Sequence, residues 1–183
     1  MFANPRLLLA CAAMVTLAGC GTPAATAPSP APAASATLDA AFGGTDRSWI
    51  EINIAMDEEL IPLLALTAAN SDDPAVRELA TQVRAVIDEE LATLRTLHTE
   101  AGLPSENPHK GMPMPGMVTP EQVTEAAANQ GPAFDAILRE CLRAHLRQSR
   151  QLADSEQKAG TEPRTVALAE RISANRELFL KKL

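Results

Sequence analysis

Three methionines and a histidine crowd one short segment: His109, Met112, Met114 and Met117. Thioethers and imidazole are soft donors that suit Cu(I), and a flexible segment would let the sulfurs converge on one ion. The alternative is that these methionines pack the segment onto an apolar core, with Pro113, Pro115 and Gly116 shaping its turns. Further along, His145 follows Cys141 by one helical turn on an apolar stripe. Two donors are too few for a closed zinc site, and no orienting group or oxyanion hole accompanies them. His145 reads foremost as a hydrogen-bonded core histidine, with a metal role as the alternative. Glu90 lies between Val86 and Leu94 on one such stripe, and Arg176 between Ile172 and Phe179 on another. A buried charge without a partner is costly, so this placement predicts an ion pair between them. Asp57, Glu58 and Glu59 read as a solvated helix face. Nothing here points to catalysis, and a non-enzymatic role is expected.

The N-terminus carries a different chemistry. Arg6 and the apolar run Leu7 to Leu17 have the form of a secretory signal, and Leu17-Ala18-Gly19-Cys20 closes it like a lipoprotein cleavage site. The apolar run is too short to span a bilayer as a helix, which takes roughly 20 residues. The expectation is a signal peptide over 1–19, with diacylglycerol on the Cys20 thiol. Two acyl chains at roughly 0.8 kcal/mol per buried methylene anchor a protein stably. The chain would then be exported and held on the outer face of a bacterial membrane. Of the three cysteines, Cys11 would leave with the signal and Cys20 would become a thioether, so Cys141 would have no disulfide partner. The net charge is −7, with no tyrosine, one tryptophan and no basic patch, which excludes nucleic acid as a partner. No protein partner is implied.

These residues need elements to position them. Residues 21–44 are mostly Ala, Pro, Thr and Ser with almost no charge, a composition that cannot offset its ordering entropy and reads as a flexible tether. The domain is expected from Thr45, a candidate N-cap, to residue 183. Trp49, Ile52, Met56, Leu60 and Leu63 recur at helical spacing and predict a helix over about 46–70, kinked by Pro62. Asp73-Pro74 opens a second helix, striped by Val76, Leu79, Val83, Val86 and Leu94, to about Ala101. Residues 102–118 form a loop, and Thr119-Pro120-Glu121-Gln122 is a capping box opening a short helix to about Asn129. Phe134, Leu138, Cys141, His145 and Leu152 stripe a long helix ending near Gly160, and Val166, Ala169, Ile172 and Phe179 stripe the last. No strand pattern occurs. The prediction is an all-α antiparallel four-helix bundle, two helical hairpins with a short helix between.

The segment Met114-Pro115-Gly116-Met117 running into Val118-Thr119-Pro120-Glu121-Gln122, with Phe134-Asp135 soon after, resembles the domain-of-unknown-function family 305. Asp46, Trp49 and Ile54, then Ala80, Val83, Glu90 and Leu91, fall on positions of the family's first hairpin. Asp135, Leu138, Leu152, Ala153, Ala169 and Ile172 fall on positions of its second. The resemblance implies a ferritin-like bundle and a metal held by paired histidines. At those histidine positions this chain carries Met56 and Asp57 in the first half, and His145 and Leu146 in the second. Arg176 stands at a family glutamine position. The functional expectation is a cell-envelope lipoprotein displaying a non-catalytic bundle that has lost most family histidines. The alternative is a tethered copper-binding protein using the methionine loop.

Overall fold

The computed structural model describes residues 39–183. The signal peptide, Cys20 and the tether up to residue 38 lie outside the described residues. Among the described residues, five helices follow in order: α1 Gly44–Asn70, α2 Pro74–Glu100, α3 Pro120–Ala127, α4 Pro132–Ala159 and α5 Pro163–Leu180. Among the described residues there is no strand, and no helix is long and apolar enough to cross a membrane.

Each helix start has a local cause. Proline occupies the first position of α2, α3, α4 and α5, where its missing N–H costs nothing. Asp73 accepts the Ala75 N–H at 2.8 Å, Thr119 and Gln122 form a reciprocal capping box, and Glu162 accepts the Thr165 N–H at 2.7 Å. The first helix departs from the sequence expectation. Its N-cap is Gly43 rather than Thr45, because the Asp46 carboxylate reaches back to the Gly43 N–H at 2.6 Å. Packing also begins before residue 45, since Phe42 is buried beneath the Arg164 guanidinium. Pro62 leaves α1 a single helix over Gly44–Asn70. It lies on the exposed face, where water can take up the carbonyl it leaves free.

Links of three residues, 71–73 and 160–162, join α1 to α2 and α4 to α5, so each pair folds back as an antiparallel hairpin. The hairpins pack through α1 on α4 and α2 on α5, while α3 bridges α1 and α4. The Asn70 side chain clamps the crossover: its Nδ2 donates to the Asn129 carbonyl at 2.7 Å, and the Asn70 carbonyl accepts the Gly131 N–H at 2.7 Å. One large core, including Ile50, Leu60, Ile87, Leu94, Phe134, Leu142 and Ile172, fills the bundle. A second, smaller apolar cluster joins Ala55, Met56 and Met117, with Ile52, Met114 and Leu152 at its edge.

The loop after α2 returns across α4 through Gly116, whose φ is +75°. A Cβ there would lie 2.5 Å from the Gln148 Cβ and 2.8 Å from the Ala144 carbonyl oxygen. Gly111 has a similar φ of +72° but open space around it. Gly111→Ala should therefore cost only the left-handed backbone penalty of about 1–2 kcal/mol. Gly116→Ala should cost clearly more, because backbone must move as well. Urea unfolding of both variants measures the difference, and equal losses would mean that the loop does not seat on α4.

Candidate functional site

The polar centre of the bundle draws one or more groups from each of the four long helices. Asp57 comes from α1, Glu90 from α2, His145 and Ser149 from α4, and Arg176 from α5; all five are buried. The Arg176 guanidinium is the hub. Its Nη2 donates to Glu90 Oε2 at 2.6 Å, its Nη1 to Glu90 Oε1 at 3.2 Å, and its Nε to the Ser149 hydroxyl at 3.0 Å. This two-pronged pairing matches the planar fork of arginine to a carboxylate. Asn175 adds a donor to Glu90 at 3.3 Å.

Asp57 belongs to this centre, which overturns its reading as part of a solvated face. Its Oδ1 lies 3.6 Å from Arg176 Nη2 and 3.4 Å from His145 Nε2, close enough for charge interaction without aligned hydrogen bonds. Glu58 and Glu59 remain partly exposed as expected. A signal for Asp57 was present: Ile50, Asn53, Asp57, Leu60 and Leu64 follow one another at the three- and four-residue steps of a buried face. Ser149 was missed for lack of any charge to mark it.

The electrostatics follow from burial. Burial lowers the pKa of His145, outweighing Asp57 and the Gly116 backbone, which favour the imidazolium, while Arg176 adds to the lowering. The ring is therefore biased to neutral. Burial also raises Glu90, against the attraction of Arg176 and with a further push from Asp57. Cys141 is a free, buried thiol, its pKa raised by burial and by Glu140 and Glu125.

The methionine segment divides. Met117 is buried and Met114 half-buried, and both join the small cluster with Met56 of α1. Met112 is 44% exposed. His109 is half-buried, its ring Nδ1 without a hydrogen-bond partner, and its backbone N–H held by Asn107 Oδ1 at 2.9 Å. Met56 was not among the expected donors, because only the fold brings it beside Met117.

A bundle of two helical hairpins, closed around a buried ionic centre and crossed by a Met-Pro-Gly-Met loop, is the class of protein that this geometry defines. A family model described as "Domain of unknown function (DUF305)" matches residues 46–182, and the chain belongs to that family. Two crystal structures share the fold. One is a DUF305 protein from Streptomyces coelicolor described as secreted, with TM-score 0.67 and 18% identity, covering 75% of this chain and 88% of that one. The other is a DUF305 fragment from Deinococcus radiodurans, with TM-score 0.68 and 14% identity, covering 76% and 93%. No curated protein matches the chain.

The metal implied by the family resemblance does not fit the residues present. Of its histidine positions only His145 holds an imidazole, and a fixed guanidinium bridges the carboxylates of Glu90 and Asp57. Among the described residues, no group of three or more His, Cys, Asp and Glu side chains is placed to hold a metal ion. A double-mutant cycle tests the pair. Arg176→Met should destabilise the bundle by about 3 kcal/mol, because it strands buried carboxylates. Adding Glu90→Leu should recover part of that loss, Asp57 being left without its counter-charge, whereas additive losses in chemical denaturation would show that the two side chains act independently.

Proposed function

We propose that this chain is a cell-envelope lipoprotein whose helical bundle acts without catalysis, as a displayed structural or interaction module. The observation that carries this reading is Arg176: a protein-borne cation sits at the polar centre, so the bundle closes without a bound ion. Asp57, His145 and Arg176 are shut off from solvent, which suits a structural centre and denies a substrate access. Export is supported by the signal-like N-terminus and by the description of the Streptomyces coelicolor relative as secreted. Lipid on Cys20 would hold the chain at the outer face of a membrane, with residues 21–38 as spacer. Cys20→Ser should release the protein from membranes or stall its processing. Normal processing with unchanged membrane fractionation of the variant would refute the anchor.

A second reading rests on the packing of Met56, Met114 and Met117 into one cluster. Thioethers are soft donors that suit Cu(I), and Met56 would take the place expected of Met112. Under this reading the tethered bundle buffers copper. Titration of the chain carrying Cys11→Ser, Cys20→Ser and Cys141→Ser with Ag(I), a redox-inert stand-in, should give one-to-one binding that Met117→Leu weakens at least tenfold and Met112→Leu leaves unchanged. Sensitivity to Met112→Leu and His109→Ala instead would move the ion to the exposed loop. Absence of binding would eliminate this reading.

A further inference from the structure

A second buried acidic centre lies at the end of the bundle where the tether enters, separate from the Arg176 cluster. Asp46 in the first turn of α1 and Glu156 in the last turn of α4 are both fully excluded from solvent. Asp46 accepts from four donors. Its carboxylate takes the Gly43 N–H at 2.6 Å, the Thr161 N–H at 2.9 Å, the Thr161 hydroxyl at 2.8 Å and the Glu162 N–H at 3.1 Å. Donors on both oxygens favour the ionised aspartate. Glu156 has no such partners: among the described residues neither of its oxygens has a donor, and the group it meets is the Asp46 carboxylate. Two buried carboxylates in contact cannot both be charged at reasonable cost, so one must keep its proton. The donor census places that proton on Glu156.

We propose that the Asp46–Glu156 pair is a proton-operated latch, which ties the start of α1 and the buried Phe42 to the α4–α5 turn and loosens as Glu156 ionises. The contact is close-packed on both sides. A Cβ on Gly43 would lie 2.8 Å from the Thr161 hydroxyl, and one on Gly160 would collide with the Glu156 carboxyl. Among the described residues, no cation offsets the pair. From α1 the facing charged group is Asp46 itself, and Arg47 is turned away to the Asp39 carbonyl. From the α4–α5 turn it is Glu162, whose carboxylate is taken up by Thr165 and Arg164. Arg164 of α5 is engaged by Glu162 and Glu100.

The pKa directions agree with this geometry. Burial raises Glu156 to about 8, with Asp46 adding to the rise, while Asp46 is held at about 2, its hydrogen bonds outweighing burial. The sign follows by linkage. Glu156 binds its proton more tightly in the latched state than when solvated, where it titrates near 4.5. The latched fraction is therefore greatest below that value. The latch equilibrium falls by about tenfold per pH unit between the two values and levels off above the higher one.

Trp49, the sole tryptophan, is buried in α1 and lines the same groove as Thr45, Ser48, Ser155 and Glu156, so it reports on the latch. In the full-length chain, Trp49 emission should shift to the red between pH 5 and 9 while helical circular dichroism persists. Glu156→Gln, which mimics the protonated acid and can still donate to Asp46, should abolish the shift. Asp46→Asn, which removes the opposing charge, should move the midpoint at least one pH unit lower. This second variant decides the matter if Glu156→Gln fails to fold. Identical pH profiles for the wild type and the variants would overturn the latch.

Discussion

A guanidinium wholly withdrawn from water must find acceptors for its fork of donors, and Arg176 finds them on two other helices, in Glu90 of α2 and Ser149 of α4. Asp57 of α1 stands by as a further counter-charge. The four long helices thus meet at one side chain of α5. Apolar periodicity alone would tolerate several rotations of these helices about their axes. The directional demands of one arginine admit far fewer, because each rotation that strands a buried charge costs several kcal/mol. The ionic centre is a constraint on register before it is a source of stability.

The centre also holds an unequal charge count. Asp57 and Glu90 face a single guanidinium, and the neighbouring imidazole is biased to neutral by its own burial. The upward push on Glu90 and the downward push on His145 are two expressions of the same desolvation, acting on an acid and a base. Ser149, a neutral hydroxyl, takes the remaining Arg176 donor without adding charge. The cation at the centre is supplied by the chain itself.

Much of the fold was legible because its signals are local. Proline after a capping residue marks a helix start within a few residues, and the apolar stripes of α2 and α4 select buried faces without reference to any partner. The start of α1 was misplaced because its cap comes from Asp46, inside the helix, while Gly43 carries no signal of its own. Glu90 and Arg176 stood out as charges on apolar stripes. Asp57 did not, since Glu58 and Glu59 beside it gave the whole run the look of a solvated face. The Met56–Met117 and Asp46–Glu156 contacts join distant segments, and no local pattern encodes them.

The two buried acidic sites show how the same residue type is managed in opposite ways. At the centre, Glu90 is met by a cation, so exclusion from water is offset by charge and by two aligned hydrogen bonds. At the end of the bundle, Glu156 meets another carboxylate, and only a proton can reconcile them. The first arrangement keeps its cation at any working pH because arginine does not give up its charge. The second depends on Glu156, whose proton affinity burial and Asp46 raise to about 8. The ionic centre therefore fixes the bundle, while the carboxyl pair governs only the end at which α1 begins.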